Sequence, residues 1–99
     1  MSDSAFKALS DPTRREILRL LSARDRTVNE IVAEFGLSQP AISRHLGVLR
    51  AAGLVTALRQ GQSVLYSLDT TVVQDVVRIL LGVAGRRAKP AAPGKRGSP

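Results

Sequence analysis

The sequence predicts a mainly α-helical winged helix-turn-helix domain, in which four helices precede a β-hairpin and a fifth helix follows it. Three observations predict this class. Four stretches with helical capping residues and helical apolar spacing come first, a short link around Gly36 joins the third and fourth, and an alternating pattern then replaces the helical one. The 99 residues suit one domain. We assign residues 1–85 to this domain and residues 86–99 to a tail.

The first two helices are marked by apolar spacing and by an N-terminal signal. Phe6 and Leu9, three residues apart, predict a short amphipathic helix over residues 4–9. Asp11 is expected to cap the second helix, with Pro12 at its first position, where a missing N–H does no harm. The predicted buried face of this second helix comprises Ile17, Leu18, Leu20 and Leu21.

Capping signals also mark the third and fourth helices. Thr27 and Glu30 form the spacing of a capping box, and Gly36 suits the position just after a helix end. Ser38 is expected to cap the next helix, so Pro40 falls in its first turn and starts the helix instead of breaking it. The predicted inward face of the fourth helix comprises Ile42, Leu46 and Leu49, and Gly53 is expected to end it.

Residues 54–69 contain two alternating runs separated by Gly61, which predicts a two-stranded hairpin, the wing. A lone hairpin is not stable in water, so we expect it to lie against the helices. Thr70 or Thr71 is expected to cap a last helix that ends near Gly85. The polar stripe of this helix is narrow, which favours a second copy packed against it. The alternative is a helix inserted deep in its own core.

Composition argues against several functional classes. The chain has no cysteine and one histidine, so thiolate chemistry is excluded and a transition-metal site is not expected. No Ser-His-Asp set or glycine-rich phosphate loop is present, so we predict neither an enzyme nor a cofactor. No signal-peptide pattern and no apolar stretch of about 20 residues occur, so we predict a cytoplasmic location without a membrane partner.

The net charge of +7 is concentrated at the C-terminus. Residues 1–85 carry +2, whereas residues 86–99 carry +5 with no acidic residue. The tail is rich in proline, glycine and alanine, and we predict that it is disordered. Such a tail binds polyanions without sequence specificity.

The fourth helix presents polar side chains on the face opposite its apolar one. A helical wheel directs outward Pro40, Ser43, Arg44 and Gly47, with Gln39 and Arg50 on one border and His45 on the other. Arginine can bind guanine edges, glutamine can pair with adenine, and serine can contact base or phosphate. The helix start also offers N–H groups to a phosphate. The alternative for this face is plain solvation, and for His45 it is packing or a local hydrogen bond.

The wing tip, residues 59–63, is polar and can reach a neighbouring minor groove or the backbone, although a plain hairpin turn explains it equally well. The predicted DNA-contacting residues are Ser38, Gln39, Pro40, Ser43, Arg44, His45, Arg50, Arg59 and Gln62.

Three segments resemble the ArsR/SmtB family of bacterial transcriptional repressors: FKALSDPTRREILRLL (6–21), TVNEIVAEFGLSQPAISRHLGVLRAAGLV (27–55) and GQSVLYSLD (61–69). The resemblance implies a homodimer paired through its first and last helices. It also implies binding to a palindromic operator, usually to repress and often to repress the regulator's own operon. The dimer interface is then expected at Phe6, Leu9, Val73, Val76, Val77, Leu80 and Leu81.

The sequence departs from the metal-sensing members of that family. Their cysteine motif falls on residues 27–31, which contain no thiol, and residues 70–84 contain no histidine and only Asp75 as an internal acid. The persulfide-sensing variant of the family requires a cysteine pair and is excluded, because the chain has no cysteine. The resemblance therefore favours the metal-free, often autoregulatory members. Two alternatives remain open: a winged-helix protein-interaction module, and a sensor of an unidentified ligand or of a divalent ion held by oxygen ligands.

Overall fold

The computed structural model describes residues 3–88. Its elements are α1 (Asp3–Ala8), α2 (Pro12–Ala23), β1 (Arg26–Thr27), α3 (Val28–Glu34), α4 (Gln39–Ala51), β2 (Val55–Gln60), β3 (Ser63–Leu68) and α5 (Thr70–Ala88). The winged helix-turn-helix class is confirmed. Helix α5 continues to Ala88, past the predicted end near Gly85, and residues 89–99 of the predicted tail lie outside the described residues.

The helix starts follow from side-chain caps. The carboxylate of Asp11 accepts the N–H groups of Thr13 (2.8 Å) and Arg14 (3.1 Å). The Thr27 hydroxyl accepts the N–H of Glu30 (3.2 Å), while the Glu30 carboxylate accepts the N–H of Thr27 (2.9 Å), which completes the predicted capping box. The N–H of Arg14 holds the pKa of Asp11 below its usual value, and the N–H of Thr27 does the same for the pKa of Glu30.

The cap of α5 differs from the prediction. The carboxylate of Asp69 accepts the N–H of Thr71 at 2.9 Å, so Thr70 and Thr71 lie inside the helix. The N–H of Asp69 in turn donates to the carbonyl of Leu54 at 2.9 Å. This bond holds Asp69 just ahead of the helix, where a negative side chain is favourable.

A glycine ends α4 as predicted, through a Schellman motif. The N–H of Gly53 donates to the carbonyl of Arg50 (3.0 Å), and the N–H of Leu54 donates to that of Leu49 (3.0 Å). Gly53 has a φ of +78°, a backbone conformation that residues other than glycine rarely adopt. Gly36, in the corresponding place after α3, has no positive φ because the residue before it already leaves the helix in an extended conformation.

The sheet has three antiparallel strands in the order β1-β3-β2, so the prediction of two strands was incomplete. Strands β2 and β3 form the wing and are joined by Gly61 and Gln62, with a φ of +61° at Gly61 that fits a type II′ turn. In β1, Arg26 pairs with Tyr66 of β3. The Nε of Arg26 is buried and has no acceptor among residues 3–88. An inward charge on a short edge strand hinders its pairing with other chains.

The core joins α2, α3 and α4 to the start of β2. Its fully buried large side chains are Ile17, Ile31, Ile42, Leu46, Leu49 and Leu54. The predicted inward face of α4 is therefore confirmed, whereas Leu18 and Leu20 of the predicted α2 face are only half-buried. Over residues 3–88, no helix has the length and apolar character needed to cross a membrane.

Candidate nucleic-acid interface

Helix α4 presents a polar face on a firmly anchored backbone. Its inward face is completely buried, so the helix is held by the core along most of its length. The exposed residues of α4 include Gln39, Pro40, Ser43, Arg44, Gly47 and Arg50, as the helical wheel predicts. Within residues 3–88, the side chains of Ser43, Arg44 and Arg50 form no hydrogen bond or ion pair. They are free to contact another molecule.

The N-terminus of α4 offers fewer free donors than the sequence suggests. The Ser38 hydroxyl accepts the N–H of Ala41 (3.3 Å), and the Ser38 carbonyl accepts the N–H of Ile42 (3.0 Å). Pro40 has no N–H. Only the N–H of Gln39 is left in this first turn, so any anion near this helix end depends on side chains.

His45 is half-buried and contacts the second helix. Its Nδ1 lies 3.3 Å from Nη1 of Arg14, whose Nε donates to the Ala8 carbonyl (2.7 Å) and whose Nη2 donates to the Lys7 carbonyl (3.2 Å). A guanidinium only donates, so this contact is a hydrogen bond in the tautomer of His45 that leaves Nδ1 free to accept. This is the local hydrogen bond that the sequence left open. It links α4 to the C-terminal end of α1, and a DNA contact by His45 stays a prediction.

The wing extends polar side chains beyond the helices. Arg59 and Gln62, on either side of the turn, are both exposed, and Ser63 beside them is exposed as well. Neither Arg59 nor Gln62 has a hydrogen bond or ion pair to another described residue. Both predicted wing residues are therefore available for an intermolecular contact.

A second, apolar surface is formed by α1 and α5. Four of the predicted interface residues are exposed: Phe6 (40%), Val77 (46%), Leu80 (56%) and Leu81 (63%). Leu9 and Val73 are half-buried and pack against the core. Val76 is only 5% exposed, so it packs within its own protomer and offers little surface to a partner. Ile79 and Val83 are also exposed, although they were not in the predicted interface.

An apolar groove of about 420 Å³ adjoins this surface between α2 and α5, lined by residues that include Leu9, Leu18, Val73 and Val77. Within residues 3–88, no group of three histidine, cysteine, aspartate or glutamate side chains could hold a metal ion.

The fold, the polar recognition helix and the wing define a DNA-binding transcriptional regulator. Residues 11–57 match the family model for bacterial regulatory proteins of the arsR family. The chain is 47% identical over 79 residues to the transcriptional repressor SdpR of Bacillus subtilis, covering 80% of this chain and 88% of that relative. The chain therefore belongs to the ArsR family.

Two further relatives agree with this assignment. The chain is 36% identical over 75 residues to the transcriptional activator HlyU of Vibrio cholerae, covering 76% of this chain and 69% of that relative. Among solved structures, an ArsR-like transcriptional regulator from Rhodococcus sp. RHA1 superposes with a TM-score of 0.79 at 31% identity, covering 88% of this chain and 80% of that one. The named relatives thus include both a repressor and an activator.

Proposed function

We propose that the chain is a homodimeric repressor that binds a palindromic operator, including one upstream of its own gene. The observation that carries this proposal is the exposed, unpaired polar face of α4, centred on Ser43 and Arg44, on a helix whose other face is fully buried. A rigid helix with free donors is what base recognition in the major groove requires. The repressor name of the relative at 47% identity supports the direction of regulation.

Arg44 is placed to contact guanine edges and Ser43 to contact a base or phosphate. In a symmetric dimer, the two copies of α4 enter successive major grooves, with half-sites about 10 bp apart. Arg59 and Gln62 of the wing then reach the adjacent minor groove or backbone. This role as a DNA regulator also places the protein in the cytoplasm and gives it no catalytic step.

The proposed dimer pairs α1 and α5 of the two copies. Phe6, Val77, Leu80 and Leu81 leave an apolar surface exposed on the isolated protomer. Monomeric proteins rarely expose contiguous apolar patches of large area, and such patches commonly mark interfaces. A two-fold axis would bring the same patch of each copy together.

The recognition face is tested by Arg44→Ala. Loss of a good arginine–guanine contact removes about 1–3 kcal/mol of discrimination, so we expect weaker binding to the operator with little change for a scrambled duplex. Arg78→Ala is the control, because Arg78 is an exposed arginine of α5 whose partner is Asp75. Fluorescence anisotropy with a duplex from the gene's upstream region measures both. Normal operator binding by Arg44→Ala would show that α4 does not recognise bases.

The dimer is tested by replacing Leu80 and Leu81 with glutamate. Both side chains are more than half exposed, so the protomer fold should survive while apposed charges separate the copies. We expect light scattering to report a monomer, and the operator affinity to fall. Gln74→Glu adds a charge to the same helix and should remain dimeric. A double variant that stays dimeric would place the interface elsewhere.

A DNA-binding measurement on wild-type protein alone distinguishes the proposed repressor from the alternative, a protein-interaction module. An intact dimer that shifts no upstream DNA at low salt would favour that module over the repressor. Deleting residues 89–99, which leaves α5 complete, tests the tail, and we expect similar losses of affinity for operator and scrambled DNA because the contacts of the tail are electrostatic. A loss confined to the operator would contradict this role.

A further inference from the structure

A polar cleft of about 160 Å³ lies between the recognition helix and the wing. Its lining comes from the start of α3, from the start of α4 and from the wing turn: Thr27, Val28, Asn29, Gln39, Gln62, Ser63 and Val64. Three elements that are separate in sequence therefore converge here. The cleft adjoins the exposed face of α4 because Gln39 belongs to both.

The side chains of the cleft are neutral, and four of its polar ones are unpaired; the fifth, the hydroxyl of Thr27, accepts the N–H of Glu30. Asn29, Gln39, Gln62 and Ser63 are exposed, and none forms a hydrogen bond within the described part of the chain. Two kinds of donor are present, the amide NH2 and the hydroxyl. No lysine, arginine, aspartate or glutamate lines the cleft. Any anion in it must therefore be held by hydrogen bonds alone, with the carboxylate of Glu30 bonded to the N–H of Thr27 as the acid adjoining the lining.

The volume and donors suit one group of the DNA backbone. A water molecule takes up about 30 Å³ of liquid, so the cleft has room for a tetrahedral group larger than water. Half to two-thirds of protein–DNA hydrogen bonds go to phosphate and sugar, and serine, asparagine and glutamine commonly supply them. The N-terminus of α4 cannot do this well, because Pro40 lacks an N–H and that of Ala41 is bound to Ser38.

We propose that this cleft holds one phosphodiester group of the operator backbone between α4 and the wing. The proposal rests on the proposed function as a DNA-binding regulator. It adds Asn29 and Ser63 to the DNA-contacting residues. It also makes Gln39 a backbone contact, which leaves base recognition to Ser43 and Arg44. The phosphate thereby sets the angle between the recognition helix and the wing on the duplex.

A neutral phosphate site has a distinct signature. Affinity depends on salt through the cationic groups that displace counterions. Removing a neutral hydrogen bond therefore weakens binding without changing the slope of log K against log [salt]. Because phosphates carry no sequence information, operator and scrambled DNA are affected by the same factor.

The experiment compares Asn29→Ala and Ser63→Ala with wild-type protein on operator and scrambled duplexes at several salt concentrations. Each variant should lose roughly three- to tenfold in affinity, the effect of one hydrogen bond, with the specificity ratio and salt slope unchanged. Thr56→Ala is the matched control, an exposed hydroxyl of β2 that does not line the cleft, and should bind normally. Thermal unfolding checks that every variant is folded.

Operators with single methylphosphonate substitutions identify the phosphate itself. Wild-type protein should lose affinity at several backbone positions, and at one of them in each half-site Asn29→Ala should no longer respond to the substitution. Three results overturn the proposal: variants that bind like wild type, a changed base preference, or a salt slope reduced by about one. Wild-type protein that binds no DNA would overturn the proposed function as well, whereas normal binding with unaffected variants would overturn the cleft alone.

Discussion

Gly47→Ala should raise the stability of the protein and lower its affinity for DNA. Gly47 lies within α4 on the exposed face, and a Cβ added there would meet no atom within 4 Å. Alanine in a helix is about 0.5–1 kcal/mol more favourable than glycine, so the free energy of unfolding should rise by this amount. For a domain of this size, the melting temperature would rise by a few degrees.

The same methyl group would project towards the DNA. Gly47 is one helical turn from Ser43 and Arg44, so its Cβ would occupy the space through which the duplex approaches. Overpacking of a close contact costs about 1–3 kcal/mol, and 1.4 kcal/mol corresponds to about tenfold in Kd. We therefore expect a loss of roughly tenfold or more in operator affinity. Circular dichroism and fluorescence anisotropy on the same sample measure the two effects.

Gly82→Ala is the control for both effects. Gly82 is also an exposed helical glycine with nothing within 4 Å of an added Cβ, but it lies in α5. It should give a similar gain in stability with unchanged DNA affinity. If Gly47→Ala binds the operator as tightly as wild type, the outward face of α4 is not apposed to DNA. If Gly47→Ala lowered the free energy of unfolding, the inference that an added Cβ meets no neighbouring atom would be wrong.

Two further predictions concern stability. Gly53→Ala should lower the free energy of unfolding by more than the roughly 1–2 kcal/mol that a left-handed backbone costs an alanine. The additional loss is expected because the new Cβ would lie 3.0 Å from Cγ2 of Val72. Gly61→Ala is the control, because an added Cβ there meets open space and only the backbone strain remains. Equal losses in urea titrations would mean that the Val72 contact is harmless. Because the pKa values of Asp11 and Glu30 are lowered in the folded protein, both carboxylates stabilise the fold fully above their usual pKa values of 3.8 and 4.5. This stabilisation is lost as the pH falls through the lowered pKa values. Asp11→Asn, which keeps a cap oxygen but does not titrate, should show a shallower decline in acid; an unchanged decline would contradict this cause.

Local interactions explain why so much of the helical structure could be predicted. The caps at Asp11, Thr27 and Ser38 act on N–H groups no more than three residues away, so sequence spacing reveals them directly. The period of the apolar residues likewise predicts which face of α4 is buried and which is exposed. The polar residues of the candidate DNA surface followed from that division, because Ser43 and Arg44 lie opposite the core.

The sequence could not reveal features that depend on distant partners. Strand β1 has two residues, too few for an alternating pattern, and exists because Arg26 pairs with Tyr66. Asp69 caps α5 because its backbone is bound to Leu54, which places it at the helix start. Each of these roles requires a second element that sequence spacing does not locate.

By itself, then, the sequence determined the order of the five helices and the wing, the starts of α2, α3 and α4 and the two faces of α4, because these depend on neighbours within a few residues. The tertiary structure decided how the elements meet. It directed His45 to Arg14, buried Val76 within its own protomer, and brought Asn29 beside Ser63 to form the cleft. The residues that meet are tens of positions apart in the chain, and only the packing of the core brings them together.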